Sequence, residues 1–174
     1  MKNTNRVTAL VRLALLCALA IALSALDGLF TPILPPGAKA GLSNTVVMLA
    51  ASAMGLPSAL LIVLFKAVFA LATRGAVAAL FSLAGGVASA LLLFVLFRYA
   101  RPLGTLGISL LGAVTHSAAQ LAVSYFLYGA AVLAYAPVFL LLSVPSGAIT
   151  AALLRAAEAI FSRLSKFHNE RKIK

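Results

Sequence analysis

The 174-residue sequence has few acids, little charge of either sign and a single cysteine. Asp27, Glu158 and Glu170 are its three carboxylates, and they are scattered. Acids so placed cannot assemble the carboxylate-rich site that holds magnesium against a phosphate. The lone Cys17 rules out an intramolecular disulfide, and no Cys/His pair has metal-ligand spacing. Cys17 itself falls inside an apolar run and reads as a small packing residue. A G-x-x-x-x-G-K-[ST] loop is also missing, so ATP is not bound by a P-loop. With no credible Ser/His/Asp or Cys/His set either, an enzyme acting alone is not expected. Neither a metal nor an organic cofactor is implied.

Hydrophobic residues fill the space those absences leave. They make up 63% of the chain, and charged residues only 10%. A soluble domain is about half apolar and roughly a quarter charged. So few charges cannot cover a water-facing surface, and the excess of apolar residues runs the whole length of the chain. The expectation is an integral membrane protein. The first 26 residues have the outline of a signal peptide, but the run from Val7 to Leu26 is long enough to span a bilayer and the rest is equally apolar.

The net charge of +11 invites a nucleic-acid reading, but its distribution argues against one. Lys2, Arg6 and Arg12 flank or enter the first apolar run, and Arg98 and Arg101 separate two later ones. Arg163, Lys166, Arg171, Lys172 and Lys174 form the tail. Basic flanks of this kind mark the cytoplasmic side of membrane segments.

Breaks at Pro, Gly and charge divide the chain. The apolar runs cover about 7–26, 40–55, 57–73, 76–97, 106–128 and 136–160. Residues 1–6 precede them and 161–174 form a basic tail. A spanning helix needs roughly 20 residues, so the second and third runs are short. Short segments of this kind often border a binding site. Six crossings put both termini and the Arg98/Arg101 loop on the cytoplasmic side, in agreement with the charge rule. The expected fold is an all-α membrane protein of six transmembrane helices in the bacterial inner membrane.

Polar residues within such a bundle need an explanation. Lys66 lies well inside the third run, Lys39 closes the first loop, and Arg74 separates the third and fourth runs. All three fall in the outer half, where Asp27 is the one acid placed to pair with them. A surplus of positive charge there can bind an anionic small molecule. The alternative is snorkelling, each cation reaching the headgroups. His116 and Gln120 stand four residues apart, with Gly112 a turn before, and so share a helix face. They can serve a ligand or clamp two helices together. Asn44, Ser82 and Ser89 pose the same choice between ligand and packing. Ala14, Ala18 and Ala22 form a small-residue stripe that lets another helix approach closely.

Three stretches carry a resemblance that covers roughly residues 7–160. Residues 36–44, PGAKAGLSN, resemble the PG-x-K-x-GL-x-N segment of the Gx transporter family. FSLAGGVAS at 81–89 resembles its FSLAGG-x-x-S segment, and GAVTHSAAQ at 112–120 is similar to its G-x-x-x-H-x-x-x-Q helix. Many members bear the name heptaprenyl diphosphate synthase component I. Lys66 stands where that family often has Arg, which keeps the charge but loses the planar fork.

The family is in turn similar to the substrate-binding S components of energy-coupling factor transporters. That likeness implies a six-helix capture subunit for an anionic or amphipathic solute, working with a separate transmembrane subunit and ATPases. Lys39, Asn44, Lys66, Arg74, Ser82, Ser89, His116 and Gln120 would then line the site, and the Ala14, Ala18, Ala22 stripe would dock the partner. The synthase name implies instead a membrane subunit without catalytic residues of its own, since the acid-rich magnesium motifs are missing.

Overall fold

The computed structural model describes residues 2–30 and 41–172. Among these, six α-helices follow one another: α1 (Lys2–Phe30), α2 (Asn44–Ala53), α3 (Leu56–Arg74), α4 (Ala76–Tyr99), α5 (Gly104–Tyr128) and α6 (Ala136–Lys172). Short 3-10 turns at Arg101–Leu103 and Ala130–Tyr135 open α5 and α6. No strand occurs among the described residues. Five of the helices, all but α2, are long and apolar enough to cross a membrane. With the composition, this makes the chain a multi-pass membrane protein.

The helix boundaries follow local chemistry. Gly55 separates α2 from α3 with φ +85° and ψ 178°, a conformation essentially closed to residues with a Cβ. Pro57 sits in the first turn of α3, where its missing N–H would have had no partner anyway. Gly75, at φ +86°, is the single residue between α3 and α4, so these helices form a hairpin of minimal length. The last helix runs beyond the apolar stretch to Lys172 and carries Pro145 in its interior. Membrane helices tolerate such a proline where neighbouring groups satisfy the freed carbonyl.

Helix α2 is the hub. Its 10 residues extend about 15 Å, half a bilayer core, yet it packs against α1, α3, α4 and α6. Thr45, Val46, Val47, Met48, Ala50 and Ala51 are all buried. A short helix is viable at membrane depth where protein, not lipid, surrounds it, as it does along residues 45–51 of α2. Around it α3, α4, α5 and α6 pack in chain order. Helix α1 is peripheral, leaning chiefly on α3 and α2. Only 17% of its spanning segment is buried, against 33–39% in the other four.

Small residues set the closest approaches. Ser109 Oγ donates to the Gly147 carbonyl at 2.6 Å, and a Cβ on Gly147 would lie 2.9 Å from the Leu110 Cα. Backbone cannot rotate aside as a side chain can. Gly147→Ala is therefore expected to force α5 and α6 apart and to lower stability by about 1–3 kcal/mol, read as a fall in Tm in detergent. An unchanged Tm would show that the two helices can slide without loss.

Candidate functional site

The polar groups converge where α1 ends and α2 begins. Asp27, 1% exposed, turns its carboxylate onto the residues leading into α2. Its Oδ1 accepts from the Leu42 N–H at 2.9 Å. Its Oδ2 accepts from the Ser43 N–H at 3.1 Å and the Ser43 hydroxyl at 2.8 Å. The first N–H groups of a helix have no partner inside it, and here an acid borrowed from α1 supplies one.

One residue further on, Asn44 meets Lys66 of α3. The buried Lys66 Nζ donates to Asn44 Oδ1 at 3.1 Å. That bond uses one of three ammonium donors. Asp27 and Arg74 both lie within electrostatic range of the same ammonium. Arg74, two turns along α3, bends back to α1, where Nη2 donates to Ser24 Oγ at 3.2 Å. It shares a separate cleft of about 240 Å³ with Ser24, Gly28, Phe69 and Thr73.

Asn44 also faces the middle of the bundle. With Ser89, Ser109, Gly112 and Thr150 it lines a cavity of only about 10 Å³, roughly the space one water needs. Thr45 Oγ1 reaches Thr150 Oγ1 at 3.3 Å beside it, and Ser89 Oγ donates to the Gly86 carbonyl at 3.1 Å. Ser82 is buried on α4 without lining this cavity.

On α5, His116 lies under Gly85, where a Cβ would come within 2.7 Å of the imidazole Cε1. The absence of a side chain at Gly85 is what admits the ring. Gln120 follows one turn on at 1% exposure, and Ser124 another turn on at 0%. Gln120 Nε2, Ser124 Oγ and Arg74 Nη1 are buried atoms with no hydrogen-bond partner among the described residues. All three can donate, a chemistry suited to an electron-rich guest.

The structure thus joins Asn44 to Lys66 directly and to Ser89 across the small cavity. Arg74 stands apart in its own cleft, while His116 and Gln120 share a buried face of α5. Lys39 lies outside the described residues. Ala14, Ala18 and Ala22 are exposed on α1. Sequence reasoning missed Ser124, though it continues the four-residue spacing of His116 and Gln120. It also missed Thr45, Ser109 and Thr150, which carry no signal that separates them from ordinary helix-packing hydroxyls. Among the described residues no group of His, Cys, Asp and Glu is placed to hold a metal ion.

Set against known families, residues 16–157 match the family model for heptaprenyl diphosphate synthase component I. The chain belongs to that family. No curated protein matches it, and no solved structure does. The description names one component of a synthase rather than the whole enzyme, in line with a chain that has no acid-rich metal site in its sequence. Asn44, Lys66, Arg74, His116 and Gln120 all fall inside the matched stretch, as do Ala18 and Ala22; Ala14 lies just before it.

Proposed function

We propose that this component I chain is a binding subunit of the bacterial inner membrane, with both termini in the cytoplasm. It takes up a small anionic or amphipathic solute in the manner of an S component. The observation that carries this reading is Lys66, an ammonium 3% exposed in the middle of a membrane helix and held by one neutral amide oxygen. Charges in that position are expensive and are kept for function. The unpartnered donors on Gln120 and Ser124, on the buried face of α5, support the same assignment, since a buried donor gains an acceptor when an anion reaches it. With so little space around Asn44, the described conformation is closed, and a solute enters only as the helices part. The exposed face of α1 with Ala14, Ala18 and Ala22 would meet a transmembrane partner that works with ATPases.

The test is mass spectrometry of the gently purified protein for a co-purifying small anion, followed by thermal titration with it. Ligand at 100 times Kd should stabilise the protein by about 2.7 kcal/mol. Gln120→Leu should weaken binding at least about tenfold, the loss of one hydrogen bond to a charged group, while the protein still folds. Equal affinity in wild type and variant would remove α5 from the site.

A second reading rests on the family match. In it the chain is the membrane component of a heptaprenyl diphosphate synthase whose catalytic groups lie on another subunit. Tagged protein would then co-purify a soluble prenyl-chain-elongating activity and show no shift with small anions.

A further inference from the structure

The Arg74 cleft lies apart from the cluster at Asn44, between the last turns of α1 and α3. It holds about 240 Å³ and is lined by Ser24, Ala25 and Gly28 of α1 and by Phe69, Thr73 and Arg74 of α3. Pockets that enclose a whole ligand run to about 300–1,000 Å³, so this one has room for a single small group. Arg74 is turned sideways onto α1, where Nη2 donates to Ser24 Oγ at 3.2 Å, and does not simply snorkel outward. Its Nη1 is buried and has no hydrogen-bond partner among the described residues. A Cβ on Gly28 would lie 3.4 Å from that nitrogen, so the glycine keeps the space beside it open. No acid lines the cleft. Asp27, one residue before Gly28, has its carboxylate on Leu42 and Ser43. Thr73 Oγ1 donates back to the Phe69 carbonyl at 2.7 Å and does not serve Arg74. Ser24, 3% exposed, accepts the Nη2 proton and keeps its own hydroxyl hydrogen to give. Arg74 Nη1 and the Ser24 hydroxyl thus offer two donors to one oxyanion, one of them charged. The surroundings say which oxyanion. Leu26 and Leu29 of α1 and Val68 and Leu71 of α3 are exposed at this end. The cleft therefore opens onto lipid, at the helix ends where phospholipid phosphates lie.

We propose that this cleft binds a single phosphate group, in the first place that of an anionic phospholipid headgroup. One phosphate oxygen accepts from Arg74 Nη1 and a second from the Ser24 hydroxyl, while the acyl chains run down the exposed leucines. The bound phosphate bridges α1 to α3. Only 17% of the spanning segment of α1 is buried, and α3 is one of its two main supports. A lipid held here fastens the most loosely packed helix of the bundle. Neither a solute at Lys66 nor a synthase partner is needed for it.

The experiment titrates the full chain, delipidated in a mild detergent and phosphate-free buffer, with dioleoyl phosphatidylglycerol. Native mass spectrometry should show one tightly retained lipid per chain, and Tm should rise with it. Diolein, which has the same chains and no phosphate, should do neither. Arg74→Gln should weaken retention at least about tenfold, the loss of a charged hydrogen bond, and remove the rise in Tm. Arg74→Lys should restore part of both. Gly28→Leu fills the cleft with Arg74 still in place and should abolish retention; if it fails to fold, Arg74→Gln alone carries the test. Inorganic phosphate tells the sources apart. A rise in Tm with inorganic phosphate but not with the lipid, lost in Arg74→Gln, would keep the site and assign it a dissolved anion. Equal retention of phosphatidylglycerol by wild type and Arg74→Gln would overturn the proposal. So would an equal rise in Tm in the two proteins, or retention of diolein as tight as that of the phospholipid.

Discussion

Asp27→Ala is expected to lower stability by about 3–5 kcal/mol, among the largest losses from a single substitution in this chain. The carboxylate accepts three hydrogen bonds, from the Leu42 N–H, the Ser43 N–H and the Ser43 hydroxyl. A hydrogen bond to a charged group contributes about 1.5–3 kcal/mol, and a buried donor left unpaired costs a further about 1–3. Water reaching the half-buried Leu42 N–H would recover part of this, which is why the figure falls short of the full sum. With Asp27 in place Ser43 makes no side-chain capping bond to α2, because its hydroxyl is turned to the carboxylate. The negative charge also favours the positive end of the α2 dipole. Asp27→Asn keeps an acceptor oxygen and should lose about half as much, and Ser43→Ala about 1 kcal/mol. Denaturant or thermal unfolding in a mild detergent would measure the series. If Asp27→Ala lies within about 0.5 kcal/mol of wild type, the range of ordinary surface changes, the carboxylate does not hold α1 to α2.

The second large effect separates stability from binding. Asn44→Leu removes the amide oxygen from the Lys66 ammonium and should destabilise by about 2–3 kcal/mol, the loss of a charged hydrogen bond in a buried place. Lys66→Met should behave in the opposite way. Replacing a buried charge by an apolar side chain of similar volume is neutral or stabilising by about 1–4 kcal/mol. Placed on the Asn44→Leu background, Lys66→Met should therefore rescue stability. A ligand-free protein loses nothing by the exchange; a ligand-binding one loses its site. The expected signature is a Tm at or above wild type, with the ligand-induced shift of about 2.7 kcal/mol at 100 times Kd abolished. A Lys66→Met protein that still shows the shift would mean that the ammonium is structural.

Much of this architecture was legible in the residues. Glycine at 55 and 75 and proline at 57 punctuate the chain in ways that local sterics dictate, so the α2–α3 and α3–α4 boundaries could be read to within a residue or two. Asn44 and Lys66 were conspicuous because polar groups in apolar runs are rare, and they do touch. Neighbour relations were harder to see. A membrane helix that is apolar on all sides has no stripe to show which face is buried, so nothing in residues 44–53 marks α2 as the hub. Asp27 was visible as an acid near cations. Its actual task depends on where the chain returns after residue 40, and spacing alone does not encode that return. Thr45 with Thr150 is a pair 105 positions apart, joined only by the fold. Arg74 belongs with Ser24 for the same reason, and this takes it away from the cavity at Asn44.

The central position of α2 has a consequence for the order in which the protein is made. Of the helices that enclose α2, only α1 precedes it from the ribosome; α3, α4 and α6 are synthesised afterwards. A segment about 15 Å long with Asn44 and Thr45 at its start is a poor candidate for stable residence in lipid by itself. Its early hold is the Asp27 clasp to α1, the helix that lipid covers most. The final docking of α2 waits for Lys66 and for α4 and α6 to emerge. A nascent chain stalled before residue 74 should therefore leave α2 unsettled. Release of residues 75–160 would then close the bundle over it, which makes α2 the second helix translated and one of the last to settle.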